Sequence, residues 1–506
     1  MFKSKFGIGL IGAILILVSV IGAAIGFTGS FYDLSYDGQA YHQEAIIMLS
    51  EGWNPLQKQL SLEDTPHYLW LNHYSKMPWL LSVSVYNLTS NIEAGKIFGI
   101  LFLLASFCFA VAALIEFKRW SLGATILFAL LLAFNPVSLY QSSMFYVDGQ
   151  LASLMLILLS CLCLVFLKSK WVLGYLLTCI AGILIINIKL TAVAYLTVLL
   201  LAAFILILVT RNWRVLKRLS VAVILMYLAG FMVLGFNPFI TNWQIKGNPF
   251  FPILGEGAIN LKPYNVPVNY TEANTLEILI LSPFFASSEV KGPQGPAELK
   301  VPFTVSDKEM QAFRTDPFIG GFGPWFGGAV GLAVIMLLVL LGISFYKEDQ
   351  QARRRLLIFV LFAGAVIGSS LLNYAPSYAR YVPQLWLLPV LVVILVSTWK
   401  NWLATIASLL LSLILLVNIG IVGYAHIDYM IKGNQEFNQK LEYLQGRTNR
   451  EDVPPVPINF NLMRSTKIKL EQHNVKYLEV RHPDYLPCDY HTMYYFPSNE
   501  SDVCYW

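Results

Sequence analysis

Residues 6–27 read Phe-Gly-Ile-Gly-Leu-Ile-Gly-Ala-Ile-Leu-Ile-Leu-Val-Ser-Val-Ile-Gly-Ala-Ala-Ile-Gly-Phe, without a single charge. A bilayer core about 30 Å thick needs about 20 such residues in a helix. The run follows Lys3 and Lys5 and lacks a small-residue cleavage site, so it reads as a retained anchor rather than a removed leader. Just beyond it stand two acids, Asp33 and Asp37. An apolar span that delivers carboxylates to the membrane surface sets the theme for the whole chain.

The theme recurs. Of 506 residues, 56% are hydrophobic and only 13% charged, against about 25% charged in a soluble domain. Lipid must therefore cover much of the surface. The spacing predicts an all-α polytopic membrane protein with about eleven spans, at 6–27, 94–115, 121–137, 149–167, 171–188, 190–209, 219–238, 321–345, 356–373, 383–398 and 403–424. The third and fifth are the shortest.

Basic residues orient these spans, because cytoplasmic loops carry an excess of Lys and Arg. With the N-terminus cytoplasmic, six clusters fall on that side: Lys3/Lys5, Lys118/Arg119, Lys168/Lys170, Arg211/Arg214/Lys217/Arg218, Lys347 with Arg353/Arg354/Arg355, and Lys400. Residues 1–425 then form a membrane core with outer loops at 28–93 and 239–320, and 426–506 form a small extracytoplasmic C-terminal segment. The turn around 138–148 also opens outward. The cytoplasmic loops contain no P-loop and no Gly-rich strand-to-helix turn, and the chain shows no internal repeat of the transporter kind. Nothing points to nucleic acid. Four cysteines lie in apolar runs as small hydrophobes. Cys488 and Cys504 lie in the C-terminal segment, where an extracytoplasmic location makes a disulfide between them plausible.

The polar chemistry gathers on the outer side. Loop one opens Tyr32-Asp33-Leu-Ser-Tyr-Asp37-Gly-Gln-Ala-Tyr41-His42-Gln-Glu44. After Asp37, the apolar residues Ala40, Ile46, Ile47 and Leu49 have the spacing of a helix lying on the membrane, which Asp37 would cap. The alternative role for the acids is a general base or a metal ligand. Further on, His73 and Lys76 suit a phosphate, or equally an interfacial aromatic and lysine belt. Asp148 begins the fourth span. Lys189 interrupts two apolar runs, and Arg380 sits in Tyr378-Ala-Arg380-Tyr381. A cation on the outer side needs an anion, either a ligand or an acid such as Asp148. Carboxylates for proton abstraction beside cations for phosphate point to group transfer from a lipid phosphate.

In order and common side, these motifs resemble the GT-C superfamily of membrane glycosyltransferases, in the branch with protein O-mannosyltransferases and aminoarabinose transferases. The residues that carry the likeness are Asp37-Gly-Gln-Ala-Tyr41 with its helix running to Leu49-Ser-Glu-Gly52, and Asp148-Gly-Gln-Leu151-Ala152. Lys189, the loop Asn237–Pro252 and Arg380-Tyr381 complete it. The resemblance spans roughly residues 1–400. It implies an inverting transferase that moves a sugar from a polyprenyl-phosphate donor to a glycan, lipid or protein acceptor at the cell membrane. Asp37 and Asp148 would be catalytic. Asp33, His42, His73, Lys76, Lys189, Arg380 and Tyr381 would bind substrate, with Lys189 and Arg380 on the donor phosphate. A divalent cation on Asp37 and Asp148 is the one cofactor the pattern admits. Gly38 departs from the branch, which often has a second acid there. A cell-envelope polysaccharide polymerase and a polymer or lipid transporter are the competing classes. The scarcity of charges in mid-span argues against transport.

Overall fold

The computed structural model describes residues 2–168, 171–290, 295–314, 316–346, 350–399, 401–450, 454–460, 462–480 and 502–503. Cys488 and Cys504, and with them the expected disulfide, lie outside the described residues.

The chain is a helical bundle. Among the described residues, eight helices are long and apolar enough to cross a membrane: Ile11–Gly29, Ile92–Glu116, Asp148–Leu167, Ala192–Val209, Trp213–Leu234, Phe326–Ile343, Gln350–Leu371 and Trp402–Thr448. The runs at 121–137, 171–188 and 383–398 form the shorter helices Leu122–Ala133, Val172–Ile188 and Pro383–Val396. Val172–Ile188, with 17 residues, reaches the lower end of the length that spans a bilayer, and the other two are shorter, so the eleven expected runs appear as eight long helices and three shorter ones. Two interior clusters hold the bundle together. One centres on Leu103, Tyr140, Trp386 and Leu411, the other on Leu154, Ile185, Leu196 and Phe239.

Local chemistry sets the turns. Asn135 accepts from the Val137 amide at 2.9 Å with Pro136 at the first helical position, which combines a side-chain cap with a residue that needs no amide partner. The turn so formed leads to Asp148 at the start of its helix. The helix Val172–Ile188 runs back and delivers Lys189 to the same end of the bundle. At the opposite end Lys168 pairs with Glu116 at 2.6 Å, and Arg355 donates to the Thr398 carbonyl. Acids and isolated cations thus collect at one end, and the basic loops at the other.

The helix Trp402–Thr448 has 47 residues, about 70 Å of α-helix. It runs unbroken through the expected boundary near 425 and projects well past the bundle. Beyond it strands β1 (Val456–Asn459), β2 (Tyr477–Glu479) and β3 (Asp502–Val503) form a sheet in the order β2-β1-β3, with β1 and β2 parallel around the helix Ser465–Gln472. This segment is docked on loop one. Ser465 Oγ donates to the Gln39 carbonyl at 2.8 Å, Arg464 approaches Glu44 at 3.4 Å, and the Tyr32 ring packs on Phe437.

The stretch after Asp37 differs from its expectation. Gly38–His42 and Gln43–Ser50 are helical, but Gln39, Ala40, His42, Gln43, Glu44, Ala45 and Ile46 are all buried. Loop-one packing and the C-terminal segment cover both faces, so it is an internal helix rather than one lying on a membrane.

Candidate active site

Arg380 is the hub. It sits on a short turn, Ala379–Tyr381, between the long helix Gln350–Leu371 and the shorter helix Pro383–Val396. Its guanidinium meets three carboxylates from three separate parts of the chain. Nη2 donates to Asp37 Oδ2 at 2.9 Å, Nη1 lies 3.0 Å from Asp316 Oδ2, and Nε lies 3.7 Å from Asp148 Oδ2. Lys189 completes the cluster through Asp148 Oδ1 at 2.5 Å. Aromatic faces surround both cations: Arg380 lies over Tyr146 at 4.5 Å and Tyr378 at 4.9 Å, and Lys189 over Tyr381 at 4.6 Å. Such faces favour a cation through the ring quadrupole. Among the described residues Nε and Nη1 of Arg380 make no hydrogen bond, although both are ion-paired, so the guanidinium keeps donor capacity for a further acceptor.

Asp37 makes no cap hydrogen bond with its helix; the capping expectation fails because the carboxylate is turned to Arg380 instead. Burial pushes its pKa up, but Arg380 and His42, with hydrogen bonds from Arg380 and Tyr41, outweigh burial and hold it below the usual carboxylate value. Asp316 behaves oppositely. Burial dominates and lifts it to about 6 despite Arg380 and the Tyr378 hydroxyl that bonds it. His42 accepts from Trp79 Nε1 at 2.7 Å through Nδ1, which puts the proton of the neutral ring on Nε2. Burial lowers its pKa to about 4, so it is neutral at pH 7.

Asp37 and Arg380 form part of the wall of two cavities. The inner one, about 470 Å³, is also lined by Asp148, Lys189, Lys262 and apolar groups such as Ile188, Ile253 and Leu372. The outer one, about 610 Å³, is also lined by His67, Trp70, Glu289, Asp316 and Tyr429. Tyr41, Tyr74, Tyr146 and Tyr381 face both.

The other expected residues are placed differently. Asp33 is fully buried and lines neither cavity. Its oxygens accept from Ser35 N, Ser35 Oγ and Phe145 N at 2.8, 2.6 and 2.6 Å. It also explains Gly38, since a Cβ there would sit 2.1 Å from Asp33 Oδ2. His73 bonds Asn242 at 2.7 Å, and Lys76 donates to the carbonyls of Asn72 and Tyr74 at 3.0 and 2.5 Å. Burial drives the Lys76 pKa well down. Both residues fix loop one to the segment Thr241–Lys246 and to the end of the helix Tyr68–His73.

Sequence reasoning missed Asp316, Tyr146 and Glu289. Asp316 had a weak signal, an acid ahead of Pro317 in a Gly-rich outer loop. Asp37 and Asp148 both face the Arg380 guanidinium, at 2.9 and 3.7 Å, and among the described residues no group of three His, Cys, Asp or Glu is poised for a metal.

No family model and no curated protein matches the chain. Among solved structures, ArnT from Cupriavidus metallidurans bound to undecaprenyl phosphate is similar at 14% identity, over 94% of this chain and 86% of that one, with a TM-score of 0.48. A likeness this distant assigns no activity.

Proposed function

We propose that the protein is a membrane glycosyltransferase of the GT-C type, which moves a sugar from a polyprenyl-phosphate donor to an acceptor at the outer membrane face. The observation that carries this reading is the position of the Asp37–Arg380 pair between two cavities. The inner cavity offers Lys189, Arg380 and apolar walls, which suit a phosphate on a lipid. The outer cavity offers an approach for a hydroxyl.

In the proposed reaction an acceptor hydroxyl oxygen attacks the anomeric carbon as the bond from that carbon to the phosphate oxygen breaks. The hydroxyl proton passes to Asp37. The departing phosphate carries the negative charge toward Lys189 and Arg380, which hydrogen-bond it. Attack opposite the leaving group inverts the anomeric centre. Asp148 acts as a positioning residue, because it holds Lys189 and Arg380 side by side. A ground-state Asp37 held acidic by Arg380 is a weak base. A donor phosphate that draws on the same guanidinium relieves that hold and makes Asp37 more basic when donor is bound.

The positive-inside orientation supports an outer-face reaction, with the cluster at the end opposite Lys168 and Arg355. The test is incubation of purified protein with defined polyprenyl-phosphate sugars, reading release of polyprenyl phosphate. Turnover of at least one donor is expected. Absence of both turnover and binding across the panel removes the reading.

A further inference from the structure

We infer that the acceptor is a carbohydrate chain without phosphate groups, seated in the outer cavity. The inference rests on the transferase reading above and names the class of its second substrate.

The two cavities differ in charge. By formal count among the described residues, the inner one has three cations (Lys189, Lys262, Arg380) and two acids (Asp37, Asp148), a net of +1. Among the described residues, the outer one has one cation, Arg380, and three acids, Asp37, Glu289 and Asp316, a net of −2. An acceptor that carries phosphate would enter a field of its own sign. Like charges in a partly desolvated site repel, and the one guanidinium is already shared among three carboxylates.

The outer cavity also differs in its walls. Of the eighteen described residues that line it, ten are aromatic, eight of them tyrosine, against two leucines. Tyr36, Trp70, Tyr264, Phe318 and Tyr429 line it without lining the inner cavity. A lipid acceptor would call for aliphatic walls. A pyranose presents C–H faces that lie against aromatic rings and a rim of hydroxyls that donate to carboxylates. Tyr and Trp supply an apolar face with a polar edge, and ionised Asp and Glu are acceptors only. Asp316 and Glu289 are therefore placed to receive sugar hydroxyls as Asp37 receives the reacting one. At about 610 Å³ the cavity exceeds the lower end of the size range for small-molecule sites.

The test uses the full-length protein in detergent on an immobilised panel of neutral oligosaccharides, the same oligosaccharides bearing phosphate, phospholipid, and unstructured peptides. Undecaprenyl phosphate affinity is measured separately. Retention of neutral oligosaccharides is expected, with the phosphorylated versions bound at least tenfold more weakly. Trp70→Ala and Tyr429→Ala should each weaken oligosaccharide binding about tenfold, and Trp70→Phe should restore most of it. Undecaprenyl phosphate affinity should stay unchanged in all three. Preference for phosphorylated glycans, for peptide or for phospholipid, or no carbohydrate binding at all, overturns the inference while leaving the donor site standing. Failure to bind undecaprenyl phosphate removes the transferase reading instead.

Discussion

Two clusters of opposite charges lie at the same end of the bundle, and they are built for different ends. Around Glu93, Lys96 donates at 2.7 Å, Lys469 approaches at 3.6 Å, Gln43 donates at 2.8 Å and the Asp33 amide at 2.9 Å. Lys96 also bonds the Phe31 carbonyl. Glu93, Lys96 and Lys469 have no unpartnered side-chain atom and line neither cavity. Around Arg380 the pairing is looser: among the described residues two guanidinium nitrogens make no hydrogen bond and one oxygen of Asp316 accepts none, and two cavities open onto the pair. A closed cluster fixes structure, joining loop one to the C-terminal segment through Lys469. A cluster with spare donors beside empty volume is able to take a ligand. Charge alone does not tell the two apart; saturation does.

Substitutions should separate the clusters, and the largest effect belongs to Asp37. Asp37→Asn keeps the size of the side chain and removes the base, so turnover should fall by about 10²–10⁴ in folded protein. Near-normal turnover would assign the base elsewhere. The Glu93 cluster should respond in stability instead. Glu93→Ala leaves Lys96 and Lys469 buried without their acid, a loss of about 3–5 kcal/mol. It should lower the melting temperature while the folded fraction keeps its donor affinity. An unchanged melting temperature would mean that the cluster does not hold loop one in place.

Lys189→Ala and Arg380→Ala come next, each removing charge-assisted hydrogen bonds of about 1.5–3 kcal/mol. Donor affinity should drop about tenfold to a hundredfold. Arg380→Lys should recover part of that, because lysine cannot make a two-pronged contact. If both alanine variants bind donor normally and only melt earlier, the cations serve only their carboxylate partners, Asp148 for Lys189 and Asp37, Asp316 and Asp148 for Arg380.

The smallest effect is one of pH. Burial raises Glu44 from 4.5 to about 7, against a Thr65 hydrogen bond and Arg464; His67 is 4.0 Å away. A carboxyl whose folded pKa is raised favours the folded state when protonated. Its contribution is full below about 4.5 and is lost as pH rises through about 7. Glu44→Gln should flatten the fall in melting temperature between pH 5 and about 8. A slope equal to the parent protein's would place the titration elsewhere.

Much of this was legible in the sequence. Apolar runs gave every long helix, because lipid demands about 20 apolar residues wherever a helix crosses. The same logic marked Lys189 and Arg380, since a cation at a helix end on the outer side needs a partner. What sequence could not give was which acid supplies that partner. Asp37 and Asp33 look alike four residues apart, yet one meets Arg380 from 343 residues away and the other is sealed by Ser35 and Phe145. Local spacing also misread the stretch after Asp37 as a surface helix, because its second buried face is created by Ser465 and Lys469, more than 400 residues downstream. Asp316 was missed for the same reason: only the fold brings its loop to Arg380.

The central claim is that Arg380 is shared between Asp37 and the donor phosphate. Calorimetric titration of undecaprenyl phosphate into the parent protein and Asp37→Asn tests it most directly. Removing the competing carboxylate should free the guanidinium and tighten binding by about two- to fivefold, the scale of a partly exposed ion pair, in the same variant whose turnover collapses. Binding that weakens, or stays equal, in Asp37→Asn would contradict the account.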